Sequence, residues 1–147
     1  MKTNQQKLII YTDGGARGNP GPAAIGVVIQ ETENKEQETG KYYSETIGET
    51  TNNVAEYKAI IFALRKAKAL LNGKKAGETE LEIKSDSELI VSQLKGEYQI
   101  KDKELQPLFV EVWNLKQNFK SVEFKLIPRE ENKEADKIVN RALDTLL

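Results

Sequence analysis

Asp13, Glu56, Asp86 and Asp136 are the side chains of this chain best placed to do chemistry. In "YTDGGARGNPGP", residues 11–22, Asp13 follows a hydrophobic run and precedes a stretch of glycines and prolines. Glu56 lies three residues after Asn53, Asp86 follows "ELEIKS", and Asp136 lies near the start of the last helical pattern. Taken singly each is ordinary: an Asx-turn residue, half of a capping box, an N-cap, a dipole-favoured charge. The rest of the composition narrows the choices. The chain has no cysteine and no histidine, which removes disulfides, thiolate metal sites, the commonest general base and the commonest zinc ligand. Carboxylates, lysines, hydroxyls or a hard metal held by oxygen remain.

Taken together the four positions are less ordinary. Asp13 and Asp86 fall at the carboxyl ends of expected strands, and Glu56 and Asp136 fall near expected helix N-termini. Ligands of open α/β sheets bind in the crevice outside such strand ends. Clustered carboxylates raise one another's pKa unless a cation compensates. Oxygen ligands select Mg²⁺ or Mn²⁺, and two such ions roughly 3.5–4 Å apart are the usual arrangement for in-line attack on a phosphodiester.

The elements that must position these groups follow from hydrophobic period. "KLIIYTD" is a nearly continuous apolar run, as in a strand covered on both faces. "AAIGVVIQ" and "GKYYSETIGE" read as the second and third strands, joined by the charged hairpin "ETENKEQETG". From Val54, apolar residues at Tyr57, Ile60, Ile61, Leu64, Ala67 and Leu71 mark one helical face that ends at "NGKKAGE". "ELEIKS" is a strand and "DSELIVSQLKG" a helix. "KELQPLFVEVWNLKQNF" is a helix with Pro107 in its first turn, and "SVEFKLIP" a strand. "NKEADKIVNRALDTLL" closes the chain as a helix with Asn132 as its N-cap. The order βββαβααβα predicts a mixed sheet with parallel pairing in its later part and helices on its faces. Tyr98, Phe109 and Trp113 read as core or helix-packing residues.

At 147 residues the expectation is a single domain, 1–147. Basic and acidic residues nearly balance, 22 against 23, so no global basic field recruits nucleic acid. "MKTNQQKLII" lacks the apolar core of a signal peptide, and no run approaches the roughly 20 apolar residues of a membrane span. A soluble, cytoplasmic monomer without a membrane partner is expected.

"YTDGGARGNPGP", "TTNNVAEYKAI", "IKSDSELIVSQL" and "REENKEADKIVNRAL" resemble, in order and spacing, the four motifs of type 1 ribonuclease H. The resemblance covers nearly the whole chain and looks closest to the compact archaeal and bacterial form without the basic protrusion. It implies the ribonuclease H-like α/β fold: a five-stranded mixed sheet of order 3-2-1-4-5, its first three strands antiparallel, flanked by helices on both faces. It implies that Asp13, Glu56, Asp86 and Asp136 are both catalytic residues and metal ligands, for two Mg²⁺ ions with Mn²⁺ as a possible substitute. The implied activity is endonucleolytic hydrolysis of the RNA strand of an RNA–DNA hybrid, leaving 5′-phosphate and 3′-hydroxyl ends. For substrate, Gly14, Gly15 and Gly18 would let the backbone approach the sugar edge, where the 2′-hydroxyl is read in a wide, shallow minor groove. By the same resemblance Asn19 and Asn52 would offer amides in that groove, and Thr51 and Asn53 would hold backbone and orient the helix start.

The chain departs from better-known relatives in two places. Where many bacterial members carry a histidine before the last helix, this one has "IPREENKEAD". Arg129 is its nearest candidate for an electrostatic role on the substrate, or else forms a surface ion pair with a neighbouring glutamate. A guanidinium cannot shuttle protons, so a pH–rate curve without a histidine-like inflection is expected. Between "SQL" and "ELQPL" stands only "KGEYQIKDK" instead of a basic insertion, which predicts weaker substrate binding than in members that carry it, with a shallow salt slope. The competing readings are another nuclease on this fold, a non-catalytic module binding hybrids or double-stranded RNA, and a nucleotide-binding domain. The first fits poorly with TNN-x-x-E and GNPGP. The second would be favoured by loss of a carboxylate, and the third lacks G-K-[ST].

Overall fold

Residues 6–31 and 40–147 are described by the computed structural model. Their elements are β1 (Gln6–Ala16), β2 (Gly21–Gln30), β3 (Lys41–Thr50), α1 (Asn52–Gly77), β4 (Thr79–Ser85), α2 (Glu88–Leu94), α3 (Gln106–Lys116), β5 (Ser121–Leu126) and α4 (Lys133–Asp144). A short 3-10 turn, Arg129–Glu131, precedes α4. The sheet has the order β3-β2-β1-β4-β5. Its first three strands pair antiparallel, and β4 is parallel to both β1 and β5. This is the architecture expected above. The expected hairpin link over 31–40 lies largely outside the described residues.

The apolar run of β1 has the expected cause, cover on both faces. Leu8 and Ile10 join Val27, Ile29, Leu81 and Ile83 beneath Tyr57, Ile60 and Leu64 of α1. On the other face Ala24 packs with Val139 and Leu143 of α4. Gly26 lets α4 sit this close, because a Cβ there would lie 2.6 Å from the Ala135 carbonyl oxygen. Glu82 of β4 is buried at 1% exposure between Lys7 Nζ (3.0 Å) and Lys125 Nζ (2.7 Å). Burial alone would raise its pKa; the hydrogen bonds from Lys125 and Lys7 outweigh that and hold it below the ordinary value.

Three local expectations need correction and one is refined. First, β1 does not stop at Asp13: Gly14, Gly15 and Ala16 continue it, paired with Ile25, Ala24 and Ala23. Glycine is usually a strand breaker, but here small residues on both strands tolerate extended pairing. The parallel ladder with β4 does end early, at Tyr11 opposite Lys84, so Asp13 sits just beyond the point where the two strands part. Second, α1 does end within "NGKKAGE", at Gly77 with Lys74 and Lys75 in its last turn, but not in one unbroken run. It kinks at Asn72 (φ 57°), whose Oδ1 accepts from the N–H of Lys75 and restarts one more turn. Third, α2 is shorter than the pattern predicts, because Ser87 caps it and leaves Asp86 outside. Fourth, of the three aromatics only Phe109 packs against the core. Tyr98 and Trp113 are about half exposed, the former donating to Glu88 Oε1 and the latter lying under Lys116 Nζ at 4.5 Å.

Candidate active site

Each acidic group reaches the site from a different segment. Asp13 leaves β1 where β4 diverges, and Asp86 leaves β4 at the same edge. The plain capping reading of Glu56 fails, because Thr51 Oγ1 caps α1 by accepting from the Val54 N–H at 3.2 Å. Asp86 is likewise not a cap, since Ser87 Oγ accepts from the Ile90 N–H at 3.4 Å. Both carboxylates are therefore left for other work. Asp136 lies in the first turn of α4. One oxygen from each of Asp13, Glu56 and Asp86 falls within 4.8 Å of the others. Asp136 lines the same cleft and shares a side-chain hydrogen bond with Asp13.

The cluster is costly without a cation. Burial, then the charges of Asp86 and Asp136, push the Asp13 carboxyl from an ordinary 3.8 to about 7. Burial, then Asp13 and Asp86, push Glu56 well above the carboxylate range, against a hydrogen bond from the Gly14 backbone. Glu56 Oε2 is buried with no hydrogen-bond partner. An orphaned buried oxygen within a group of converging carboxylates fits a bound positive charge. An all-oxygen donor set suits Mg²⁺ or Mn²⁺.

The expected substrate residues divide. Gly14, Gly15, Asn52 and Arg129 line the cleft; Gly18, Asn19, Thr51 and Asn53 do not. Gly14 answers to the fold as much as to any ligand: a Cβ there would fall 2.3 Å from the Ala55 carbonyl carbon, so its bareness admits the start of α1. At Gly15 the nearest atom is Val139 Cγ1 at an ordinary 3.7 Å, which leaves the backbone open. Gly18 takes φ 110° in the turn beyond. Asn19 Oδ1 accepts from the Asn52 N–H at 3.0 Å, and Asn52 Oδ1 accepts from the Ala16 N–H at 2.7 Å. The two amides thus latch the β1–β2 hairpin to α1. Asn53 makes no side-chain hydrogen bond among the described residues. Arg129 is exposed and makes no ion pair among the described residues, so the ion-pair reading fails.

Three further residues belong to the site. Asn132 was expected as a helix cap; its side chain makes no cap bond and instead donates from Nδ2 to the Thr12 carbonyl (2.9 Å) and Asp86 Oδ2 (3.4 Å). Asn140 Nδ2 donates to the Asp136 carbonyl (3.0 Å) and Oδ1 (3.4 Å). Its position four residues after Asp136 was the available signal. Arg17 reaches from the glycine-rich hairpin to Asp144 Oδ1 at 2.6 Å.

An acidic cluster at the parting of β1 and β4, under a mixed sheet of this order, defines an α/β domain of the reverse transcriptase-like class, and the family profile of that description matches residues 11–142. LC11-RNase H1, isolated from compost, has a solved structure 48% identical to this chain, with a TM-score of 0.85 over 95% of this chain and 97% of that one. RNase H1 of the archaeon Halobacterium salinarum superimposes at a TM-score of 0.80 with 35% identity, over 95% of this chain and 98% of that one. A bifunctional protein of Mycobacterium tuberculosis is 36% identical over 94% of this chain, which spans 36% of that protein's length. The chain belongs to the type 1 ribonuclease H family. It spans about a third of the curated mycobacterial relatives it matches and 63% of the Halobacterium salinarum ribonuclease HI.

Proposed function

We propose that this domain is an endonuclease that hydrolyses the RNA strand of RNA–DNA hybrids, with two divalent cations, leaving 5′-phosphate and 3′-hydroxyl ends. The observation that carries the reading is the convergence of Asp13, Glu56 and Asp86, with Asp136 on the same cleft and Glu56 Oε2 orphaned. Support comes also from LC11-RNase H1, which has been solved in complex with an RNA/DNA hybrid and is 46% identical.

Asp13, Glu56, Asp86 and Asp136 would hold the cations, Mg²⁺ or Mn²⁺. When bound, such ions stabilise charge on the phosphoryl oxygens and supply a nucleophile at neutral pH. The protein's own part is to keep four like charges close and aimed at one phosphodiester, which positions the scissile group before reaction. Gly15 offers open backbone, and Asn52 lines the cleft from the N-terminal end of α1. Both suit reading of the 2′-hydroxyl and sugar edge that distinguish RNA from DNA. Arg129, cationic and exposed on the cleft, would meet a backbone phosphate. No helix among the described residues is long and apolar enough to cross a membrane. The proposed enzyme is cytoplasmic and works as one domain and as a monomer.

The test is cleavage of labelled RNA–DNA hybrid, double-stranded RNA and double-stranded DNA in Mg²⁺, Mn²⁺ or EDTA, with Asp13→Asn alongside. Hybrid cleavage that disappears in EDTA and in the variant supports the proposal. Binding without cleavage, or cleavage retained by Asp13→Asn, sinks it; cutting of double-stranded RNA would widen the substrate class.

A further inference from the structure

Asn132 holds the N-cap position of α4 without capping it. A capping amide turns its oxygen toward the N–H of the second or third helical residue. Here the side chain is turned inward at 1% exposure, and Nδ2 donates to the Thr12 carbonyl and to Asp86 Oδ2. The opposite amide orientation would set Oδ1 against a carbonyl and a carboxylate, three acceptors together, so the network itself assigns the donor. Oδ1 is left buried with no partner, a cost that a capping geometry would avoid.

Three segments of the site meet on this residue. Thr12 immediately precedes Asp13, Asp86 follows β4, and the Asn132 carbonyl accepts the N–H of Asp136 at 3.1 Å. We propose that Asn132 is a positioning residue that holds Asp86 beside Asp13 against their mutual repulsion and fixes the turn from which Asp136 faces them. It acts through the carboxylates, and the inference rests on the cation-binding reading given above.

The experiment uses Asn132→Ala, Asn132→Leu, which keeps bulk but no donor, and Asn118→Ala, which strips a different amide hydrogen bond, at the end of α3. Folding is followed by near-ultraviolet circular dichroism and urea midpoint. Mn²⁺ affinity is measured calorimetrically on substrate-free protein, and hybrid cleavage is resolved into kcat and KM. Both Asn132 variants should lose about 10–100-fold in Mn²⁺ affinity and a similar factor in kcat, with KM within about twofold. Asn118→Ala should change neither. Native-like Mn²⁺ affinity in either Asn132 variant overturns the proposal, as does recovery in Asn132→Leu of what Asn132→Ala loses. Failure of both to fold while Asn118→Ala folds overturns it too, in favour of an architectural role. A wild-type protein that binds Mn²⁺ but cuts no hybrid would sink the proposed function and still leave the Mn²⁺ comparison to decide the part played by Asn132.

Discussion

Replacing Asp13 by asparagine should make the cation-free protein more stable at pH 8, not less. The Asp13 carboxyl is 7% exposed, and its pKa rises from 3.8 to about 7 through burial and the charges of Asp86 and Asp136. Between those two values the native state holds a proton that the unfolded chain has released, so stability falls as pH rises through the window. It is fully present below about 3.8 and lost above about 7. At about 1.4 kcal/mol per pH unit the interval corresponds to about 4 kcal/mol. Asparagine removes that cost but forfeits the hydrogen bond with Glu56 that partly offsets it, leaving a net gain of about 2–4 kcal/mol. Urea unfolding in EDTA at pH 4, 6 and 8 measures it. Wild type should weaken steadily across the series, and the variant should follow a flatter curve that crosses it. Saturating Mg²⁺ should reverse the order at pH 8, by stabilising wild type through mass action. A variant no more stable than wild type at pH 8 in EDTA, or a wild-type curve flat from pH 4 to 7, would refute the reasoning.

Gly14→Ala should cost about 3 kcal/mol or more in urea unfolding, because its Cβ meets the Ala55 backbone at 2.3 Å; unchanged stability would return Gly14 to a purely substrate-facing role. Glu82→Gln should cost about 1–2 kcal/mol at pH 7, a modest figure because Lys7 and Lys125 are 46% and 44% exposed and regain water. Since the Glu82 pKa is held below its ordinary 4.5, that stability is present above this pH and fades as pH falls through the lower, folded-state value. Equal stability of the two proteins at pH 7 would show the pair to be idle. Hybrid cleavage at limiting Mg²⁺ should show an inflection near 7, set by protons competing for Asp13, that, unlike a histidine's, slides to lower pH as Mg²⁺ rises. An inflection fixed at about 6.5 at every Mg²⁺ concentration would instead mark a separate titrating group. Hybrid affinity should fall gently with salt; a log–log slope implying eight or so neutralised phosphates would contradict the missing basic insertion.

Element types and their succession along the chain were legible because period and punctuation are local signals that agreed with the global packing; the sheet order rested on the family resemblance, since strand neighbours are not a local property. β1 shows where such signals stop. "DGGA" reads as the end of a strand, yet Gly14–Ala16 stay extended because Ala23 and Ala24 pair across from them, and no local pattern of Gly14 reveals that Ala55 is packed against it. Residue type located Asn132 at the helix boundary but could not say which way its amide turns. That depends on Thr12 and Asp86, 120 and 46 residues away in sequence. Trp113 misled for the opposite reason: its residue type suggested packing in the core, while the side chain is half exposed with Lys116 over its ring.

The four carboxylates also show how chemistry separates from architecture along one chain. The capping duty that could have occupied Glu56 or Asp86 is performed by a nearby hydroxyl: Thr51 caps α1 and Ser87 caps α2. Had Glu56 served as a capping-box acceptor or Asp86 as an N-cap, its charge would have been spent on backbone N–H groups. With the caps supplied by neighbours, both acids are free to point inward. Desolvation and repulsion then raise Asp13 and Glu56 far above their ordinary values. The acidic residues that look most like caps in the sequence are thus the ones whose capping work is done beside them. An alanine at Thr51 should therefore cost helix stability of about 1 kcal/mol and leave the ionisation of Glu56 in place, whereas a true capping box would couple the two.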